Sequence, residues 1–147
     1  MRVVVQRVKS AKVILDDTGK VSGKINKGLV LLIGVGKEDD KNKAQKLAEK
    51  ISKLRVMADD EDKMNLSIKD VEGGILAVSQ FTLYGDTSKG NRPSFVKAAS
   101  PEKGEEIYNI FIEELRKRVD VVETGIFGAY MTIEADLGGP VTILLEE

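Results

Sequence analysis

The residues that could do chemistry gather in one short segment, Ser79-Gln80-Phe81-Thr82-Leu83. Two hydroxyls and an amide lie together in it, directly after an apolar stretch that is typical of a strand. Strand alternation predicts that Ser79 and Phe81 share one face while Gln80 and Thr82 share the other. The residues alone allow two interpretations. The segment is either a strand passing from core to edge, or a strand end that presents hydroxyls, an amide and backbone N–H groups to a ligand.

A second candidate is the glycine-rich segment Asp136–Thr142, which contains Gly138, Gly139 and Pro140 in succession. Two glycines before a proline permit backbone angles that other residues avoid. The plain interpretation is a hairpin turn between two strands, and the functional one is a loop whose main chain meets a ligand. The residues alone do not predict a cis bond before Pro140, since only about 5–6% of such bonds are cis.

The polar loop from Gly85 to Phe95, with the residues just after it, carries the basic side chains Lys89, Arg92 and Lys97. Such side chains meet phosphate groups in nucleic-acid complexes, and they also populate ordinary solvated loops. The net charge of the chain is −1, unlike the strongly basic character of many nucleic-acid-binding domains. Any contact with RNA is therefore expected to be local and small.

The chain has no cysteine and no histidine among its 147 residues. Thiolate nucleophiles, cysteine-bound metals and a Ser-His-Asp triad are therefore excluded, and any hydrolysis must use another device. We expect no metal and no cofactor. No apolar run approaches the ~20 residues of a membrane helix, and the N-terminus lacks the layout of a signal peptide. A cytoplasmic protein without membrane contact is expected.

Hydrophobic periodicity predicts a single α+β domain over residues 1–147. One helix is predicted from a cap at Asp39 or Asp40 to about Leu54, and a second follows a cap at Ser100. Strands are predicted at Met1–Val8, extended or followed by Lys12–Leu15, and at Lys20–Ile25, Gly28–Gly36, Arg55–Met57, Ile75–Leu83, Val119–Val122, Tyr130–Ala135 and Val141–Leu145. We expect a curved or barrel-like, mostly antiparallel sheet with the two main helices packed outside, and a homodimer that covers its edge strands.

Taken together, six segments of this chain resemble those of the D-aminoacyl-tRNA deacylases, in the same order and at similar spacing. They are Gln6-Arg7-Val8, Lys63-Met64-Asn65-Leu66, Ser79–Leu83, Arg92-Pro93-Ser94-Phe95, Thr124–Ala129 and Gly139-Pro140-Val141-Thr142. The resemblance runs from Met1 to Leu145. One departure precedes Gly139, where this chain has Leu137-Gly138 and the family commonly has Asn-Asp, so the stiffening of that turn must come from elsewhere.

The resemblance implies an enzyme that hydrolyses the ester bond of D-aminoacyl-tRNA, and of tRNA-Ala mischarged with glycine, while sparing the L-product. It also implies a homodimer with each pocket at the interface. In that arrangement a cis Gly139-Pro140 bond enters the partner's pocket, its main-chain carbonyls hold the substrate ammonium, and an L side chain meets the wall. Arg7 is the residue expected to pin this loop across the interface.

Two mechanisms remain open for the expected catalytic residues Ser79, Gln80, Phe81 and Thr82. In the first, Thr82 is a nucleophile or positions one. In the second, backbone N–H groups around Phe81 and Thr82 form an oxyanion hole while the ribose 2′-hydroxyl activates water. We favour the second, because no residue type here is an obvious base for Thr82.

Supporting roles are expected around this segment. Phe95 and Met131, together with Phe81, are expected to contact the terminal adenine or to close the pocket. The expected tRNA rim consists of Lys89, Arg92 and Lys97.

Three alternatives stay open from the sequence. A related deacylase that clears L-alanine from the wrong tRNA shares the fold and differs in the Gly-Pro geometry, and the altered Leu137-Gly138 context is compatible with it. A non-catalytic module would bind the tRNA end or a protein without releasing the amino acid. A structural dimer would use Gly139-Pro140 as a plain turn.

Overall fold

Eight β-strands, two α-helices and one 3₁₀ helix make up the computed structural model, which describes every residue from Met1 to Glu147. The strands are β1 (Arg2–Leu15), β2 (Val21–Ile25), β3 (Gly28–Gly34), β4 (Met57–Ala58), β5 (Met64–Leu66), β6 (Gly74–Ser79), β7 (Val122–Thr124) and β8 (Met131–Glu146). The helices are α1 (Lys41–Ser52) and α2 (Pro101–Arg116), and the 3₁₀ helix spans Phe81–Tyr84. Neither α-helix has the length and apolar character needed to cross a membrane.

The long strand β1 pairs with three other strands of the main sheet. One of its edges pairs antiparallel with β8, and the other pairs antiparallel with β3 along its first half and with β2 along its second half. The sheet continues through parallel pairs of β3 with β6 and of β6 with β7. It curls until β2 meets β7, where a Cβ on Gly23 would lie 2.7 Å from the Thr124 carbonyl oxygen. The expected barrel-like α+β fold is confirmed, with a mixed sheet in which antiparallel pairs are the majority.

Apolar side chains fill both faces of this sheet. The larger core lies between the sheet and the two α-helices, and it takes Leu29, Leu31 and Ile33 from β3. The smaller core lies inside the curl, and it takes Val30 from the same strand. A strand buried on both faces reads as a continuous apolar run, which is why the sequence predicts β3 as a central strand.

Both α-helices begin where their caps predict. The Asp40 side chain accepts a hydrogen bond of 2.9 Å from the backbone N–H of Lys43, and the Ser100 hydroxyl accepts one of 3.4 Å from that of Lys103. Pro101 occupies the first position of α2, where no N–H is needed. The second candidate cap, Asp39, has a different role described below. α1 ends earlier than the sequence predicts, at Ser52.

The predicted strand Ile75–Leu83 is wrong at its end. β6 stops at Ser79, and the last bond to the neighbouring strand runs from the Gln80 N–H to the Ile33 carbonyl at 2.7 Å. β3 itself ends one residue after Ile33, so no further ladder partner exists. The chain closes a 3₁₀ turn instead, and the predicted alternation of faces does not continue beyond Ser79.

Other strand boundaries also differ from the predictions. β2 starts at Val21, β3 ends at Gly34, and the sequence does not predict β5. β4 covers Met57–Ala58, and β7 starts at Val122 because the end of α2 still holds Val119, whose N–H bonds to the Leu115 carbonyl at 2.9 Å. The two predicted C-terminal strands are one strand, β8, which pairs with β1 on both sides of the glycine-rich segment. The glycine-rich segment is therefore not a hairpin turn.

Candidate active site

A cavity of about 650 Å³ opens beyond the end of β6. Its walls come from the end of β6 and the 3₁₀ helix, from the first turn of α2, and from the chain that leads into β8. The lining includes Val78, Ser79, Gln80, Phe81, Ser100, Pro101, Gly104, Phe127, Tyr130, Met131 and Ile133. The structure thus brings Ser79, Gln80, Phe81 and Met131 together, as the sequence predicts.

This cavity has no charged side chain in its lining. No Asp, Glu, Lys or Arg contributes to it, and Tyr130 is its sole ionisable residue. Polar side chains are limited to Ser79, Gln80, Ser100 and the Tyr130 phenol. The surroundings therefore contain no carboxylate or amine that could act as a general base, or that could pair with a charged ligand.

The amides at the start of the 3₁₀ helix are the donors best placed for chemistry. The first N–H groups of any helix have no acceptor within it, and no turn or loop hydrogen bond uses the N–H of Phe81 or Thr82. Phe81 is among the residues that line the cavity, and Thr82 follows it directly. Two adjacent unpaired amides can bind an anionic oxygen.

The Thr82 side chain is not part of the cavity lining. It is exposed, and its hydroxyl accepts a hydrogen bond from the Gln80 side-chain amide. No carboxylate, amine or imidazole contacts it. The geometry therefore gives the hydroxyl a neutral local partner and no base.

Aromatic and sulfur-containing side chains support this region. The Phe95 ring contacts the Phe81 ring edge-on, with centroids 5.1 Å apart and an interplanar angle of 69°. Phe95 does not line the cavity and instead lies behind Phe81. The Met131 sulfur accepts the Ile126 N–H at 3.3 Å, which fixes the chain that leads into β8.

The glycine-rich loop of β8 lies away from this cavity. Val8 pairs with Leu137 and Gln6 with Thr142, so residues 138–141 lie opposite the single residue Arg7 and must project from the sheet. Arg7 holds the projection within its own chain, because its Nε donates to the Gly138 carbonyl at 2.9 Å and its Nη1 donates to the Val56 carbonyl at 3.0 Å. The expected role of Arg7 across an interface stays a prediction.

The peptide bond between Gly139 and Pro140 is cis, and Gly139 has a φ of 123°. Both residues are exposed, and neither lines the cavity of its own chain. The loop is available to another molecule.

The three basic residues predicted as a tRNA rim do not line the cavity. Lys89 and Arg92 are exposed on the loop after the 3₁₀ helix. Lys97 pairs with Asp86 at 3.3 Å. Hydrogen bonds from Ser88, and then the Lys97 ammonium, lower the pKa of Asp86 to about 2.

A second depression of about 530 Å³ lies at the end of the 3₁₀ helix, lined by Arg2, Asp39, Tyr84 and Lys97 among others. Asp39 is only 3% exposed. Its carboxylate accepts the Met1 ammonium at 2.6 Å, the Gly36 N–H at 2.6 Å and the Tyr84 hydroxyl at 3.1 Å. Burial acts to raise the pKa of Asp39, but these hydrogen bonds outweigh it and the pKa is lowered.

Sequence reasoning missed the part of the cavity made by α2. Ser100, Pro101 and Gly104 line it, whereas the sequence identifies Ser100 only as a helix cap and gives no role to Gly104. The unexpected feature is a buried glycine inside a helix, at a position where alanine is normally more stable. That glycine is the signal from which the wall could have been inferred.

Comparison with known proteins places the whole chain in one family. The family model described as D-Tyr-tRNA(Tyr) deacylase matches residues 4–146. The chain belongs to this family. Among curated members, a D-aminoacyl-tRNA deacylase of Thermosipho melanesiensis is 54% identical over 147 residues, covering 99% of this chain and 97% of that protein. One of Koribacter versatilis is 52% identical over 146 residues, with the same coverage.

Two solved structures are similar to this chain in fold. The c-Myc DNA Unwinding Element Binding Protein is 41% identical with a TM-score of 0.93, and the alignment covers 100% of this chain and 99% of that one. A probable eukaryotic D-amino acid tRNA deacylase is 17% identical with a TM-score of 0.86, and the alignment covers 98% of this chain and 97% of the other. The second likeness concerns the fold alone.

Proposed function

We propose that this chain hydrolyses the ester bond between a D-amino acid and the terminal ribose of tRNA, acting in the cytoplasm and sparing L-aminoacyl-tRNA. Glycine mischarged on tRNA-Ala is a second substrate. Family membership over residues 4–146 supports the reaction class. The observation that carries the proposal is the uncharged cavity beside two unpaired amides at Phe81 and Thr82.

These amides act as the oxyanion hole. Ester hydrolysis develops negative charge on the carbonyl oxygen, and fixed donors aimed at that oxygen stabilise it most effectively where water is excluded. The N–H groups of Phe81 and Thr82 are adjacent and unpaired, and the cavity wall beside them is mostly apolar. An aminoacyl ester is already activated, so little acid–base help is required.

The ribose 2′-hydroxyl of the substrate activates the attacking water. The protein offers no base for this purpose, since no Asp, Glu, Lys or Arg lines the cavity and the chain has no histidine. Thr82 is a poor candidate for a nucleophile, because its hydroxyl is engaged with Gln80 outside the cavity lining. The protein therefore binds, orients and stabilises, and the RNA takes part in the proton transfer.

Two copies of the chain form each complete site. The outer edge of β8 pairs with no strand over its 16 residues, and an unpaired edge of that length is normally covered. A two-fold axis beside β8 would carry the projecting Gly139-Pro140 loop of one subunit to the cavity of the other. The tRNA 3′ end is then held at a homodimer interface.

The Gly139-Pro140 loop selects the hand of the amino acid. The substrate carries an ammonium, and the cavity has no carboxylate to receive it. Main-chain carbonyls of Gly139 and Pro140 from the partner supply the missing acceptors. Holding the ammonium there turns an L side chain into the cavity wall, while a D side chain points out and glycine passes.

A clash is the efficient way to reach such selectivity. Each tenfold preference requires about 1.4 kcal/mol, whereas a differential apolar contact provides only about 1–3 kcal/mol. A wall of main chain cannot rotate away as a side chain can. The bonds from Arg7 to the Gly138 and Val56 carbonyls hold that wall in place.

The deciding experiment offers four charged tRNAs to the purified protein: D-tyrosyl-tRNA, L-tyrosyl-tRNA, glycyl-tRNA-Ala and L-alanyl-tRNA. We expect rapid release of D-tyrosine and glycine, and rates close to spontaneous hydrolysis for the two L-substrates. Preferential release of L-alanine would identify the related L-alanine deacylase activity. Tight binding of D-tyrosyl-tRNA without release would indicate a non-catalytic module, and either outcome would overturn the proposal.

A further inference from the structure

The 3₁₀ helix Phe81–Tyr84 is too short to hold itself in place. Its closing bonds are Leu83 N–H to the Gln80 carbonyl at 3.3 Å and Gly85 N–H to the Thr82 carbonyl at 2.9 Å. Short 3₁₀ segments have poor hydrogen-bond geometry and little stability of their own. External contacts must therefore fix the direction of its N–H groups. At its start, the bond from Gln80 N–H to the Ile33 carbonyl ties it to the sheet.

Arg2 holds the other end of this helix. The residue begins β1, and its Nη1 donates to the Leu83 carbonyl at 2.8 Å. The same guanidinium lies over the Tyr84 ring, with Cζ 4.7 Å from the ring centroid. One side chain on the rigid sheet thus contacts the last two residues of the 3₁₀ helix.

Tyr84 is fixed on its other side by the chain after β3. Its hydroxyl donates to Asp39 at 3.1 Å, and the same carboxylate also accepts the Gly36 N–H at 2.6 Å. A Cβ on Gly36 would come within 2.7 Å of the Tyr84 ring, so the ring lies directly on this main chain. A Cβ on Gly34 would likewise come within 3.2 Å of Tyr84. The absence of side chains at Gly34 and Gly36 lets the Tyr84 ring pack directly against the main chain.

We propose that Arg2, Tyr84 and Asp39 form a clamp that positions the 3₁₀ helix and so aims the N–H groups of Phe81 and Thr82 at the reacting ester oxygen. The inference rests on the proposed function, in which those N–H groups are the oxyanion hole. The three residues are positioning residues, because none of them lines the cavity. They line the second depression, to which the last residue of the 3₁₀ helix contributes.

Small displacements are costly at such a site. Catalytic donors must stay within about 0.5 Å of the productive geometry, and a 1 Å misplacement can cost about 100-fold in rate. Loosening the clamp therefore reduces the rate of the chemical step. Substrate binding, which depends on the cavity walls and on the partner loop, changes little.

The test uses Tyr84→Phe, which removes the bond to Asp39 and keeps the ring, and Arg2→Met, which removes the donors and keeps much of the stem. We expect kcat on D-tyrosyl-tRNA to fall about 3- to 10-fold and about 5- to 30-fold respectively, with KM unchanged within about twofold. Arg2→Lys, which restores a cation and a donor, recovers part of the loss. The control Glu146→Gln breaks an ion pair with the Arg2 Nε, and its kcat stays within about twofold of wild type.

A second readout does not depend on activity. Hydrogen exchange of the segment 80–86 is expected to accelerate in Tyr84→Phe and Arg2→Met and to stay unchanged in Glu146→Gln. A lower melting temperature with unchanged kcat would reduce the clamp to a stability role, and a higher KM at constant kcat would place these residues in substrate contact. Either result overturns the inference. An inactive wild-type protein overturns the proposed function instead, and unchanged exchange in the variants overturns the clamp.

Discussion

Thr82 carries a hydroxyl in the most reactive-looking segment of the chain, yet its surroundings give it no route to act as a nucleophile. The hydroxyl accepts a hydrogen bond from Gln80, and Thr82 does not line the cavity. Thr82→Val keeps the shape and the backbone N–H while removing the oxygen. We expect kcat on D-tyrosyl-tRNA within about threefold of wild type. A loss of more than about 100-fold with intact tRNA binding would restore Thr82 as a catalytic group.

The matched experiment removes the N–H of Phe81 and leaves every side chain in place. Incorporating the α-hydroxy analogue of phenylalanine at position 81 turns that amide into an ester. Removal of one oxyanion donor typically reduces kcat by about 10²–10³-fold, and we expect a loss of that size. An amide-to-ester replacement at Lys46, which keeps the lysine side chain on the exposed face of α1, is the control for ester incorporation.

At the residue scale the sequence reveals what is missing more clearly than what is present. Composition by itself excludes the common hydrolytic devices, because the chain has no histidine and no cysteine. Every residue except proline carries an N–H, so no residue type marks the amides of Phe81 and Thr82 as special. Their value comes from being unpaired beside a cavity, which only the folded chain reveals.

Among the elements, the helices are the most predictable and the strand ends the least. Asp40 and Ser100 start their helices with local hydrogen bonds, so a few neighbouring residues suffice to identify them. The end of β6 depends instead on β3, which stops at Gly34. Since the ladder partner is distant in sequence, the apolar alternation of Phe81 and Leu83 favours a longer strand than the one formed.

The long strand β8 illustrates the same limit. Two strands with a hairpin turn and one strand with a projecting loop share the same local pattern of apolar residues and glycines. The pairing with β1 on both sides of the loop decides between them. That pairing is a property of the sheet, and the glycine-rich segment does not encode it locally.

Gly104 provides a test at this scale, because a glycine inside α2 weakens the helix while keeping the cavity wall flat. A Cβ there would lie 3.5 Å from the Phe127 ring, which is ordinary contact. We expect Gly104→Ala to stabilise the fold by about 0.5–1 kcal/mol, and to raise the melting temperature by about 2–4 °C. Because the methyl group enters the cavity wall, kcat/KM is expected to fall.

Asn109→Ala is the matched control for this prediction. Asn109 is exposed on the same helix and does not line the cavity, so its replacement improves helix propensity without touching the site. Thermal unfolding and steady-state kinetics on both variants separate the two effects. If Gly104→Ala leaves kcat/KM unchanged, this part of α2 is not a wall of the working site.

For the whole molecule, the separation between the cavity and the Gly139-Pro140 loop is the main architectural fact. Both are on one chain, but the loop does not line the cavity of that chain. If the loop acts in the partner, each site combines two copies. Subunit mixing can distinguish this arrangement from one in which the loop has no role.

Two variants serve for the mixing experiment. Ala129→Trp fills the cavity, and Gly139→Ala disturbs the loop, since a Cβ there would lie 2.7 Å from Arg7 Nη2 at a φ of 123°. Each homodimer is expected to be nearly inactive. After unfolding and refolding of an equal mixture, half of the dimers are hybrids with one intact site, so about a quarter of wild-type activity should return.

Mass spectrometry of the intact dimers verifies that hybrids form. Recovery in proportion to the hybrid fraction supports a shared site. If hybrids form and activity stays absent, the loop and the cavity that it serves belong to the same subunit. An active Gly139→Ala homodimer would instead show that the loop has no part in the reaction.

The uncharged cavity restricts which inhibitors can bind and where resistance mutations can arise. Electrophilic inhibitors form a covalent bond with a thiol, an imidazole or an activated hydroxyl. This chain has no cysteine or histidine, and no charged side chain that could activate a hydroxyl lines the cavity. Ligands must therefore compete reversibly, by shape and by hydrogen bonds to peptide groups. Any substitution at Phe81 or Thr82 except proline keeps the backbone N–H. We therefore expect resistance to arise from substitutions of the side chains that line the cavity or hold its residues in place.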